Sequence, residues 1–164
     1  MKKLVAFESL KEHYVADACV VWCYDDRFYK LLKAFGKQEG WKNIDLVKVA
    51  GGAKDLAVGT EASPSVMAAR DFLLGQITTS IRLHGTKRVV LMTHRDCGAY
   101  GGSKSFTAAA IAGGEGVDAE LVQHEAQLKA AKDFVASQIS AGGSVVTIPV
   151  DAYFADFDGL YILS

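Results

Sequence analysis

Ala18-Cys19-Val20-Val21-Trp22-Cys23 carries no charged side chain, and the run stops abruptly at Asp25, Asp26 and Arg27. A strand can be apolar on consecutive residues only if both its faces are covered, which is the condition inside a parallel sheet layered with helices. Helix follows at once: Phe28, Leu31, Leu32 and Phe35 fall at i, i+3, i+4 and i+7, with Gly36 and Gly40 placed to end it. The alternation continues. Ile44-Asp45-Leu46-Val47-Lys48-Val49 reads as a second strand, broken by Ala50-Gly51-Gly52. Residues 53–65 are small and polar, carry Pro64, and read as a loop with one short turn. From Val66 to His84, Val66, Ala69, Leu73, Ile77 and Ile81 share one side of a long helix that Gly85 closes. Lys87 to Thr93 is a third strand, and it delivers the loop His94-Arg95-Asp96-Cys97-Gly98-Ala99-Tyr100-Gly101-Gly102.

Beyond a glycine-rich stretch, Gly113-Gly114-Glu115-Gly116, expected to be flexible, Asp118 to Ala141 reads as a helix. Leu121, Leu128, Ala131 and Val135 form its apolar face, Asp118 its N-cap and Gly142 its stop. Ser144 to Ile148 is expected to be a fourth strand. Tyr153-Phe154 and Leu160-Tyr161-Ile162-Leu163, separated by Asp156-Phe157-Asp158-Gly159, suggest a terminal turn and edge strand. Strands alternating with helices imply right-handed crossovers and an α/β fold: a Rossmann-like, three-layer domain over residues 1–164 with a mostly parallel central sheet and a terminal antiparallel edge strand.

Charge narrows the partners. Lys+Arg 18 against Asp+Glu 19 leaves a formal charge of -1 with no long run of either sign, so neither nucleic acid nor an anionic membrane is an expected partner. Glu8 and Lys11 interrupt the apolar stretch after Lys2-Lys3 before it can become a signal-peptide core, and no window reaches the length of a membrane span. A cytoplasmic protein is expected. Three cysteines, Cys19, Cys23 and Cys97, are then a poor basis for a disulfide framework.

In open parallel sheets ligands bind beyond the carboxyl ends of the strands, where strand order reverses. Cys23, Gly51-Gly52, and His94 with Cys97 follow the first, second and third strands, so their loops are expected to meet on one edge. Two thiolates and an imidazole suit zinc and leave a fourth position open for water. The same residues also read, taken singly, as small buried thiols and a loop histidine. Asp25 and Arg27 alternate onto the side of Cys23, where a carboxylate held by a bidentate arginine can orient a metal-bound water, or simply form a surface ion pair.

Cys23-x-Asp25-x-Arg27 followed by His94-x-x-Cys97-Gly98 resembles the two-part signature of the β-class carbonic anhydrases. The likeness extends along most of the chain, through Ala50-Gly51 and the terminal Asp-containing hairpin. It implies zinc on Cys23, His94 and Cys97, and reversible hydration of CO2 to bicarbonate and a proton by zinc-bound hydroxide, a lyase reaction. It further implies that Asp25, paired with Arg27, orients the hydroxide, that an aspartate at this position moves onto zinc in some members, and that the Gly98 N–H donates to a substrate oxygen. A homodimer or higher even homo-oligomer is the implied assembly. Departures stand beside the match: Lys48-Val49 occupy places where members commonly have Arg-Asn, residues 53–65 look like an insertion able to reshape the entrance, and only about 17 residues precede the first strand.

Competing chemistries fail on spacing. The glycines at 98, 101 and 102 make neither a dinucleotide fingerprint nor, with Lys104, a Walker loop, and no arginine follows Cys97 as a cysteine phosphatase requires. His124-Glu125 lacks the second histidine of H-E-x-x-H and reads as a solvated helix face. His13 and His84 read as surface or helix-end residues, Cys19 as a buried structural thiol, and Tyr100 and Phe106 as pocket, contact or core aromatics. Two further readings keep the metal: a zinc hydrolase of a CO2 analogue, CS2 or COS, and a non-catalytic zinc-stabilised binding protein with Asp25 as permanent fourth ligand.

Overall fold

A computed structural model describes residues 2–9, 11–106, 117–141 and 148–163. Five strands form one sheet in the order β2-β1-β3-β4-β5. They are β1 (Ala18–Trp22), β2 (Ile44–Lys48), β3 (Val89–His94), β4 (Val150–Asp156) and β5 (Gly159–Ile162). The first four are parallel, and β5 returns antiparallel to β4 through the turn at Phe157 and Asp158. Both β1 and β3 are buried along their whole length, which explains their unbroken apolar sequences, whereas the edge strand β2 is half-exposed.

Among the described residues three α-helices cover the faces: α1 (Tyr29–Gln38), α2 (Pro64–His84) and α3 (Ala119–Ala141). The expected stripe of α1 packs Phe28 and Phe35 with Leu31 and Leu32 against Val20, Trp22 and Met92 on one face. On the other, Leu73 and Ile77 of α2 and Leu128, Ala131 and Val135 of α3 meet Val21, Leu91 and Phe154. Each fully buried Val, Leu or Ile side chain among these contributes about 1.5–3 kcal/mol. Gly85 ends α2 in the left-handed conformation, φ 54°, and Asp118 caps α3 by accepting from the Leu121 N–H at 3.0 Å.

Residues 144–147 of the expected fourth strand lie outside the described residues, as do 113–116, and Ile148 is in no strand. The fourth parallel strand is β4, in register with β3 from Val89↔Val150 to His94↔Ala155. Pro149 has no N–H to give a ladder, but its carbonyl accepts from Val89 at 2.9 Å and starts the pairing. The short turn expected within residues 53–65 is a 310 turn (Lys54–Ala57) whose Leu56 is fully buried beneath α2 and α3, while the segment ends inside α2, which starts at Pro64 rather than Val66.

The order β2-β1-β3 places the reversal between β1 and β3, which are hydrogen-bonded neighbours. Cys23 follows β1 and His94 ends β3, so the topology alone brings the two segments together.

Candidate metal centre

Cys23, His94 and Cys97 are all buried, and their ligand atoms lie within 4.8 Å of one another. His94 enters from the last position of β3, its ring packed 4.7 Å from Phe28 and 5.7 Å from Trp22. Nδ1 sits 2.8 Å from the Arg95 carbonyl oxygen, which can only accept, so Nδ1 carries the proton and Nε2 presents a lone pair. That Nε2 is buried and has no hydrogen-bond partner. A buried imidazole nitrogen left unpaired beside two thiols fits a soft cation better than it fits the empty protein.

The sulfurs are prepared in the same sense. The Cys97 thiol outweighs burial and, with the neighbouring His94 ring and main-chain donors at Asp25 and Gly51, holds the Cys23 thiol well below the ordinary range. Cys97, beside Cys23 and buried, is pushed up, because two thiolates this close cannot both ionise without a cation between them. The close approach of these loops depends on Gly52. Its φ is +58°, and a Cβ there would overlap the Met92 carbonyl oxygen and stand 3.1 Å from the Cys23 nitrogen.

Asp25 and Arg27 form the expected bidentate pair: Nε donates to Oδ1 at 3.0 Å and Nη2 to Oδ2 at 2.7 Å. This partner holds the Asp25 carboxyl down to about 2. Its Oδ2 is 4.0 Å from His94 Nε2, so the carboxylate faces the ligand cluster. Arg27 is also held from the far side, where Nη1 donates to Asp96 Oδ2 at 2.9 Å and Nη2 to the Asp96 carbonyl at 3.0 Å. Asp96 was absent from the residues singled out by sequence, although a carboxylate between two ligands, in His94-Arg95-Asp96-Cys97, is a signal that could have found it. Gly98 is exposed at the start of the 310 turn after Cys97 and lines a cleft of about 400 Å3 with Cys23, Tyr24, Asp25, Gly51 and Cys97. A larger groove, about 520 Å3 between α1 and β2, is edged by Lys33, Lys37 and Lys48 and has no thiol, imidazole or carboxylate in its lining.

The other singled-out residues divide. Cys19 is fully buried and free, and His13 is exposed. His84 ends α2, its Nδ1 2.7 Å from Asp45 Oδ2. Tyr100 and Phe106 pack on His124, with ring centroids 4.3 and 6.1 Å away. His124 corrects its expectation: it is fully buried rather than solvated, because α3 turns that face toward Phe154 of the sheet, 4.9 Å away.

Residues 14–155 match the family model described as "Putative carbonic anhydrase". No curated protein matches the sequence. Among solved structures, the β-carbonic anhydrase isoform I of the protozoan Trichomonas vaginalis is 16% identical with a TM-score of 0.54, the match covering 96% of this chain and 87% of that one. A β-carbonic anhydrase of the filamentous ascomycete Sordaria macrospora, one of two described as tetrameric, is 13% identical with a TM-score of 0.53, covering 92% and 82%. The carbonic anhydrase of Glaciozyma antarctica is 17% identical with a TM-score of 0.50, covering 95% and 86%. At these identities the likeness to the solved structures is one of fold.

Proposed function

We propose, from the premise that this chain belongs to the β-carbonic anhydrase family, that it is a zinc enzyme catalysing the reversible hydration of CO2 to bicarbonate and a proton. The observation that carries the reading is the unpaired His94 Nε2, grouped with Cys23 and Cys97 and faced by an arginine-held carboxylate. Cys23, His94 and Cys97 would hold the zinc, which when bound supplies the Lewis acidity that makes water a nucleophile near neutral pH.

The chain's own residues do the rest. The Arg95 carbonyl fixes the His94 ring. Asp25, ionised throughout the working range, only accepts, so it takes a hydrogen bond from the attacking water and turns an oxygen lone pair toward carbon. Arg27 keeps that carboxylate aimed. The Gly98 N–H donates to the CO2 oxygen on which negative charge grows. Carbon gains the hydroxyl oxygen, and the released proton passes to solvent.

A homodimer or higher even assembly in the cytoplasm, with residues 1–164 as one domain, belongs to the same proposal. Exposed Tyr24, Tyr29 and Leu46 around the cleft and the β2 edge support self-association, and three free cysteines support a reducing compartment. Among the described residues no helix is long and apolar enough to cross a membrane. The test is paired: Cys97→Ser is expected to lose its zinc, while Asp25→Asn keeps zinc and loses hydration rate about 100-fold or more. Unchanged zinc in Cys97→Ser contradicts the ligand set, and turnover of CS2 or COS in place of CO2 contradicts the substrate.

A further inference from the structure

Between His94 and Cys97 only Arg95 and Asp96 are available to bring the chain back, so that an imidazole and a thiol separated by two residues point at the same place. The return is made at Asp96, the one non-glycine residue with positive φ among the described residues, at +55°. This conformation is uncommon for a residue with a Cβ, although aspartate adopts it more readily than most, and here neighbouring groups hold it. The enforcing contact comes from another layer of the fold. Glu120, in the first turn of α3 and only 3% exposed, accepts the Asp96 N–H on Oε1 at 2.6 Å. Its other oxygen lies 3.5 Å from Arg95 Nη1.

Asp96, once turned, acts in two directions. Its Oδ1 accepts from the Ser103 N–H at 2.9 Å, closing the loop behind Cys97. Its Oδ2 and carbonyl oxygen hold Arg27, which holds Asp25. A continuous series of short contacts therefore runs from a buried carboxylate on α3, through the residue between two candidate ligands, to the carboxylate facing the site. Arg95 does not need Glu120 to stay in place, since Asp118 and Asp156 each pair with it at 2.6 Å. Glu120 Oε1 also lies 3.8 Å from His124 Nε2, but the one short hydrogen bond that only Glu120 supplies is that to the Asp96 N–H.

We propose that Glu120 is a positioning residue of the metal centre, setting the spacing of His94 and Cys97 by holding Asp96 in its left-handed turn; the proposal rests on the zinc reading above. The contact needs an acceptor at the length of a glutamate side chain and does not need its charge. Glu120→Gln keeps an oxygen within reach of the Asp96 N–H and is expected to bind zinc as the parent does. Glu120→Asp keeps the charge near Arg95 but withdraws the oxygen by one methylene, and is expected to weaken zinc binding. Glu120→Ala removes the acceptor and weakens it further, about 10-fold to 100-fold.

The experiment is a competition titration of Zn2+ between a chelator and the full chain, for the parent and the three variants, with the thermal unfolding midpoint of each metal-free chain measured alongside. The expected order of affinity is parent and Gln together, then Asp, then Ala, without the same order in the metal-free midpoints of the Gln and Asp chains. If Glu120→Ala does not fold, the Gln and Asp chains decide alone. Equal zinc affinity in all folded variants overturns the proposal, as does an Asp variant that binds like the parent while the Gln variant fails, which would assign the effect to charge. A parent chain that takes up no zinc overturns the underlying reading and the proposal with it, and is distinguished by failing before any variant is compared.

Discussion

Arg27 stands between two carboxylates, Asp25 toward the ligand cluster and Asp96 away from it, and the guanidinium fork satisfies both. Arg27 is about half exposed, so the pairs matter here for orientation more than for stability. His124 is different, because burial drives its pKa down to about 4 and its ring is packed among Tyr100, Phe106 and Phe154. In the unfolded chain the imidazole takes a proton near pH 6.5, and in the folded chain not until about 4, so acidification favours unfolding across that window. Stability lost between pH 7 and pH 4.5 is expected to be smaller in His124→Phe than in the parent by on the order of 2–3 kcal/mol, read from urea midpoints at the two pH values. Parallel pH dependence in the two chains would contradict the burial argument. Cys23, His94 and Cys97 were legible in the sequence because strand ends fixed their placement, whereas Asp25 and Arg27 meet not by the expected strand alternation but because Asp25 caps the 310 turn Asp26–Phe28 that carries Arg27. Glu120 was not legible: an acidic residue in a helix's first turn looks the same whether it serves the helix dipole or a distant amide.

At the scale of elements, the strands that flank the site were read within a residue or two because burial on both faces leaves an unmistakable apolar run. Of β4 only Tyr153-Phe154 was legible, because Asp151, which lies 3.6 Å from Arg88, interrupts the apolar pattern near its start. The hairpin was read as Tyr153-Phe154 against Leu160–Leu163, and the structure pairs Tyr153↔Ile162 and Phe154↔Tyr161. Loop approach at the end of β2 rests on Gly52, whose missing side chain lets the Ala53 N–H reach the Met92 carbonyl at 3.1 Å. Gly52→Ala is expected to destabilise the chain by about 3 kcal/mol or more, from backbone strain and overlap together, and to release zinc more readily even where it folds. Denaturant unfolding and zinc retention check both parts, and a stability change under about 1 kcal/mol would mean that the loop has room the structure does not show.

For the whole molecule, the sheet order β2-β1-β3 is the decisive fact, since it makes neighbours of two segments about 70 residues apart and opens their loops on one edge. The account is tested most directly by stopped-flow CO2 hydration at alkaline pH on the purified full chain, with zinc quantified in the same sample. It predicts zinc equimolar with the chain and hydration far above the buffer rate. Equimolar zinc without hydration of CO2 would contradict the proposed activity, and no zinc after metal-replete purification would contradict the metal centre itself.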